Sequence, residues 1–216
     1  MDLLLAVPVL LFAITSHEFA HAYAALRQGD YTAYQLGRVS LNPLRHIDPV
    51  GTIILPAILL LTKAGFLFGW ARPVPVDPSN YRDYRRGDII VSLAGIAANL
   101  ILAVIAAAVL LLLIPLGRAL PGLATPIGIL GAMAEYGIVI NLVLALFNLI
   151  PIPPLDGSHV LYHLLPPRLG ARYRELGRFG MLIVIALVVF VPGGLRILFA
   201  PVSWVMRVVW QLAGAI

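Results

Sequence analysis

Apolar stretches of about 19 residues or more recur along this sequence, at 3–26, 50–68, 89–115, 127–150 and 179–200. About 20 such residues in a helix cross the ~30 Å hydrocarbon core of a bilayer. Only 12% of the 216 residues are charged, against roughly 25% in soluble domains. Lipid is therefore the solvent for most of the surface, and a spanning backbone there must satisfy its own polar groups. The expected fold class is an all-α membrane protein, a polytopic helical bundle. Short strand-like loops are expected outside the lipid at 27–48, and 50–68 either spans or re-enters. No polar stretch is long enough for a second domain, so 1–216 reads as one membrane-embedded domain. Residues 201–216, with Trp204 and Trp210, read as a terminal interfacial helix.

Ala22-Tyr23-Ala24 fits a leader-peptide cleavage pattern, but the residues before the first apolar run hold no Lys or Arg, only Asp2. The first run is read as a retained helix. The net charge of +5 matches the basic bias of cytoplasmic membrane loops, and nucleic acid is excluded as a partner on the hydrophobicity. With no cysteine, disulfides and Cys-ligated metals are excluded. Eleven of the 14 arginines fall in 27–48, 69–88 and 152–178. The positive-inside rule wants all three loops on the cytoplasmic side, which requires 50–68 to enter and return. Pro56 and the flanking glycines allow that shape. The crossing helices are then 3–26, 89–115, 127–150 and 179–200, with the N-terminus outside.

The first apolar run contains His17-Glu18-Phe19-Ala20-His21. Residues four apart on a helix share a face, so His17 and His21 can grip one ion while Glu18 reaches a water beside it. Chance yields on the order of 0.002 such matches in a chain of this composition. Ionisable side chains are costly within a membrane and are kept there for function. The alternative is a proton relay in a carrier, which would bind no stoichiometric zinc. A third ligand must be Asp, Glu or His, and spacing does not choose among His46, Asp48, Asp83, Asp88, Glu135, Asp156, His159 and His163. Asp156 is attractive after the rigid Pro151-Ile152-Pro153-Pro154, although Asp-Gly is also ordinary turn chemistry.

These motifs resemble the site-2 protease family of intramembrane zinc metalloproteases. HEFAH matches its catalytic motif, and Asn148 through Leu155-Asp156-Gly157 is similar to its second signature. Ser92-Leu93-Ala94-Gly95-Ile96-Ala97-Ala98-Asn99 is similar to its middle-helix motif, and Gly69-Trp70-Ala71-Arg72-Pro73-Val74-Pro75-Val76 to a family loop. The matches run from residue 17 to 157 in the family's order; the last sixty residues carry none. The resemblance implies one Zn2+ per chain, held by His17, His21 and Asp156. It further implies Glu18 as general base, Asn148 holding substrate or oxyanion, and a helical core carrying the HExxH and LDG motifs. It implies a membrane-anchored protein substrate, regulatory membrane proteins as further partners, and a multi-pass position in a prokaryotic plasma membrane. Ile96 stands where many members have proline, which weakens a catalytic role for Asn99. Large accessory domains of many relatives have no counterpart here, so the chain resembles a minimal version of the fold.

Other polar residues have plainer readings. Asn99 is divided between helix packing and site support, and Asn141 reads as an interhelical hydrogen-bond partner. Ser92 and Gly95 read as tight packing. His46 could line substrate entry, but with Asp48 it more simply forms a capped turn. His159 and His163 could form a second metal site; solvated interfacial histidines are the simpler reading. The loops at 27–48, with 50–68, are expected to take up an unwound substrate as an added strand.

Overall fold

The structure is a computed structural model that describes residues 3–54, 58, 61–62, 72–190 and 194–214. Among the described residues three helices are long and apolar enough to cross a membrane: Leu4–Gln28, Tyr84–Ala119 and Pro121–Asn148. The first, α1 (Leu3–Gln28), is one unbroken apolar run that ends at a Schellman turn. Gly29 takes a φ of +111°, and the Asp30 N–H donates back to Ala25 O at 3.0 Å. The chain then makes α2 (Thr32–Gln35), a 3-10 turn at Pro43–Arg45 and a π-helical turn at Pro49–Ile54.

After residues 72–77, which are neither helix nor strand, the Asp83 carboxylate accepts from the Arg86 N–H at 2.8 Å and caps α3 (Tyr84–Ala119). At 36 residues α3 is about 54 Å long, well beyond the hydrocarbon thickness, so its polar first turns need not lie in lipid. Next come α4 (Ala124–Asn148), then α5 (Gly157–Leu164), α6 (Pro167–Glu175), α7 (Gly180–Phe190) and α8 (Gly194–Leu212).

Helices α1, α3 and α4 pack against one another, and α8 lies along α4. Leu110 of α3, Ala134 and Ile138 of α4 and Val209 of α8 form one buried apolar cluster. Polar residues take the opposite place to that in a water-soluble core. Thr15, His17, Ser92, Asn99 and Asn141 are buried inside, while Ile101, Val104, Ile105 and Leu112 of α3 face outward. That inversion is what lipid as solvent demands.

One expectation is corrected. Among the described residues there is no strand, so residues 27–48 are short helix and turns. Asn42 and Asp48 cap those turns through their side chains, Asp48 as the capped-turn reading expected. An added strand at 27–48 has no partner strand to extend there. In the apolar run 179–200 the described helix is α7 as far as Phe190 and α8 from Gly194, and residues 191–193 lie outside the described residues. Val209, in the expected terminal helix 201–216, joins the buried cluster. Beyond residue 54, most of the 50–68 segment lies outside the described residues, and re-entry with it.

The three arginine-bearing loops meet at one end of the bundle. The Arg82 N–H donates to Gln28 O at 2.9 Å, and the Arg72 N–H to His46 O at 2.9 Å. The Arg174 guanidinium donates to the Tyr84 hydroxyl and lies 3.7 Å over the Tyr162 ring.

Candidate metal centre

One helical turn apart on α1, His17 and His21 bring their Nε2 atoms within 3.0 Å of each other. Asp156, in the turn between α4 and α5, places Oδ2 at 3.2 Å from His17 Nε2 and 3.3 Å from His21 Nε2. Among the described residues this is the one group of three such side chains whose ligand atoms all lie within 4.8 Å of one another.

The local hydrogen bonds decide what this cluster can hold. His21 Nδ1 sits 2.7 Å from the Val91 carbonyl oxygen, which can only accept, so Nδ1 carries the proton. His17 Nδ1 sits 2.6 Å from Asn99 Oδ1, again an acceptor. Both neutral rings therefore turn unprotonated Nε2 atoms toward each other and toward a carboxylate. Asp156 Oδ2 is buried and makes no hydrogen bond of usable geometry. Three lone pairs facing one point repel unless a cation lies between them. Tetrahedral zinc with bonds of about 2.0–2.1 Å would set its ligand atoms ~3.3 Å apart. The observed 3.0, 3.2 and 3.3 Å separations fit that tetrahedron. The site is a nitrogen–nitrogen–oxygen donor set that suits zinc.

Glycine clears the space for it. A β-carbon on Gly95 of α3 would lie 2.6 Å from His17 Cε1 and 2.7 Å from His17 Nε2, and against His21 Nε2. Gly157 does the same for Asp156: a β-carbon there would strike the backbone of Leu149, with Ile150 O only 3.0 Å away. The turn bearing Asp156 can then lie flat on the exit of α4. Gly95, read from sequence as packing, thus borders the metal ligands themselves.

Glu18 is held from outside the helix. The Val74 N–H donates to Glu18 Oε2 at 2.8 Å. Pro73 and Pro75 have no N–H, so Val74 presents the one backbone donor of that tripeptide. Arg38, buried, donates from Nη2 to Arg72 O at 2.9 Å and Pro73 O at 3.3 Å. The Pro73–Val74 peptide group is thus gripped by a guanidinium at its oxygen and gives its proton to the carboxylate.

The remaining candidates sit elsewhere. Asn148 donates from Nδ2 to Leu144 O of its own helix at 3.0 Å and is not part of the converging group. His46 is buried, bonds Ser40 O through Nε2 at 2.8 Å, and caps the turn at Pro43–Arg45. It is a clip between loops. His159 and His163 do not form a second three-ligand group; both clasp buried Asp88 of α3, at 3.2 and 2.7 Å. That hydrogen bond with Asp88 raises the His159 pKa above the usual imidazole value, against the opposing effect of burial. The pair fastens α5, and hence the turn before it, to α3.

The family model for peptidase family M50 matches residues 5–191. YwhC of Bacillus subtilis is 41% identical over 183 residues, covering 85% of this chain and 79% of its own. Rip2 of Mycolicibacterium smegmatis is 34% identical over 200 residues, covering 90% of this chain and 70% of its own. Rip2 of Mycobacterium tuberculosis strain Erdman is 30% identical over 203 residues, covering 94% and 70%. All three carry the words zinc metalloprotease in their names. No solved structure gives a significant match.

Proposed function

This chain belongs to peptidase family M50, the site-2 protease family, and on that premise we propose that it cleaves peptide bonds in or beside the transmembrane segments of membrane-anchored proteins. It is a zinc metalloprotease and an integral membrane protein. The observation that carries the reading is the convergence of Asp156 with His17 and His21, which lie beside Glu18 on a helix long and apolar enough to span a bilayer. These three side chains would hold the zinc. When bound, zinc supplies Lewis acidity that polarises the scissile carbonyl and acidifies water.

The chain's own groups do the rest. Glu18 takes a proton from the attacking water as oxygen bonds to the carbonyl carbon, then delivers a proton to the departing amine nitrogen. The C–N bond breaks to a carboxyl and an amine. The Val74 N–H aims the Glu18 carboxylate and leaves its second oxygen available. Asn148 would serve the oxyanion by exchanging its bond with Leu144 O for one to substrate. A helical substrate must unwind locally to offer its carbonyl. The bacterial relatives favour a bacterial plasma membrane as its location, and regulatory membrane proteins as further partners belong to the same proposal.

The test is Glu18→Gln, assayed on a membrane-anchored substrate in detergent. Zinc content stays near that of the wild type, and cleavage falls by roughly 100-fold or more, the usual scale for losing a general base. Cleavage at the wild-type rate would contradict the mechanism.

A further inference from the structure

His17 is the start of a hydrogen-bonded chain that crosses three helices. Its Nδ1 meets Asn99 Oδ1 on α3 at 2.6 Å; Asn99 Nδ2 meets Asn141 Oδ1 on α4 at 2.8 Å; Asn141 Nδ2 meets Gly137 O one turn back at 2.8 Å. Asn99 is 0% exposed and Asn141 3%. The direction of this chain is forced from its far end. Gly137 O can only accept, so Asn141 must turn its amino group that way and its oxygen toward Asn99. Asn99 must then answer with its own amino group. A second carbonyl, Ala13 O on α1 at 3.3 Å, makes the same demand of Asn99 independently. What remains for His17 is the Asn99 oxygen, which accepts only from a protonated Nδ1.

We propose that Asn99 and Asn141 form a directional amide relay that fixes the tautomer and ring orientation of His17, making both of them positioning residues of the metal centre. Turning either amide over would set oxygen against oxygen at a buried carbonyl, where no water can relieve the loss. The relay is therefore all or none. It leaves Nε2 as a bare donor aimed at the point shared with His21 and Asp156. Outer-shell partners of this kind commonly carry 10- to 100-fold of metal affinity. The relay also explains why three helices each place a polar group in one apolar seam. Packing alone would be served by Leu or Ala.

The inference rests on the zinc reading above, and its test reads zinc binding directly. Full-length protein in detergent is stripped of metal and titrated with zinc against a competing chelator. The metal-free protein is melted in parallel, and the cobalt-loaded form is examined by visible absorption. Asn99→Leu binds zinc roughly 10- to 100-fold more weakly and alters the cobalt bands. Asn99→Asp still accepts from Nδ1–H but sets its second oxygen against Asn141 Oδ1 and Ala13 O, so its metal-free form melts lower while it binds zinc more tightly than Asn99→Leu does. A packing role predicts the reverse, with the leucine neutral and the buried carboxylate disruptive. Asn141→Leu frees the Asn99 amide and weakens zinc several-fold, which decides the matter should Asn99→Leu not accumulate. Wild-type affinity in either leucine variant, or Asn99→Asp as weak as Asn99→Leu, overturns the relay. Wild-type protein that binds no zinc overturns both the relay and the reading beneath it.

Discussion

An added methyl group at position 95 would lie within 2.7 Å of His17 Nε2. Both imidazoles are pinned, His17 by Asn99 and His21 by Val91 O, so neither ring can swing away without losing a buried hydrogen bond. Gly95→Ala should therefore lose zinc and cleavage together, with zinc affinity falling at least about 10-fold, the scale of a disturbed ligand environment. Retained zinc would show that the rings have room to move. The ligand pair itself was legible in HEFAH, because helical spacing alone puts residues four apart on one face. Asp156 was not singled out by spacing, since it reaches the pair through the tertiary packing of α4 and α5. Gly95 was misread for the same reason: a small residue on a helix looks like packing until the imidazoles opposite it are known.

At the scale of elements, the loops carry more of the site than their polarity suggested. Asp30, fully buried at the exit of α1, accepts from the Thr32 N–H and hydroxyl, from Asn80 Nδ2, and from the Asp77 N–H at 2.7 Å. It ties α1 to the turn that follows residues 72–77, whose Val74 holds Glu18. Burial alone would raise its pKa, but the hydrogen bonds from Thr32, Asp77 and Asn80 prevail and lower it below the usual carboxylate value. The contribution to stability is thus complete above the unfolded pKa of about 4 and is lost as pH falls through the lower folded value. Asp30→Asn would turn an amide N–H toward the Asp77 N–H and cost roughly 1–3 kcal/mol at neutral pH. The gap between the two proteins should close as the pH falls below about 4. Melting curves across pH check this, and a gap independent of pH would contradict it. Helices were the legible elements, since long apolar runs admit little else in lipid. The loops were legible only in part: the capped turn at Asp48 was expected, but 27–48, expected as strand-like loops, is short helix and turns, with Asn42 capping the one at Pro43–Arg45.

For the whole molecule, the arginines report orientation. Their three loops are joined by backbone and side-chain bonds at one end of the bundle, so they must share one side of the membrane. By the positive-inside rule that side is expected to be the cytoplasmic one. The chain has no native cysteine, so single cysteines in place of Arg45, Arg86 and Arg172 can be labelled without background. All three should react with an impermeant maleimide in inverted vesicles and stay protected in right-side-out ones. Labelling of Arg86→Cys from the opposite side to the other two would break the topology. Charge made this arrangement legible in advance.

The most direct test of the account is metal content. Wild-type protein purified in detergent should hold one zinc per chain by mass spectrometry, Glu18→Gln the same, and His17→Ala/His21→Ala and Asp156→Ala proteins far less at equal fold content. One zinc per chain retained after both histidines are removed would contradict the assignment of the metal to this cluster.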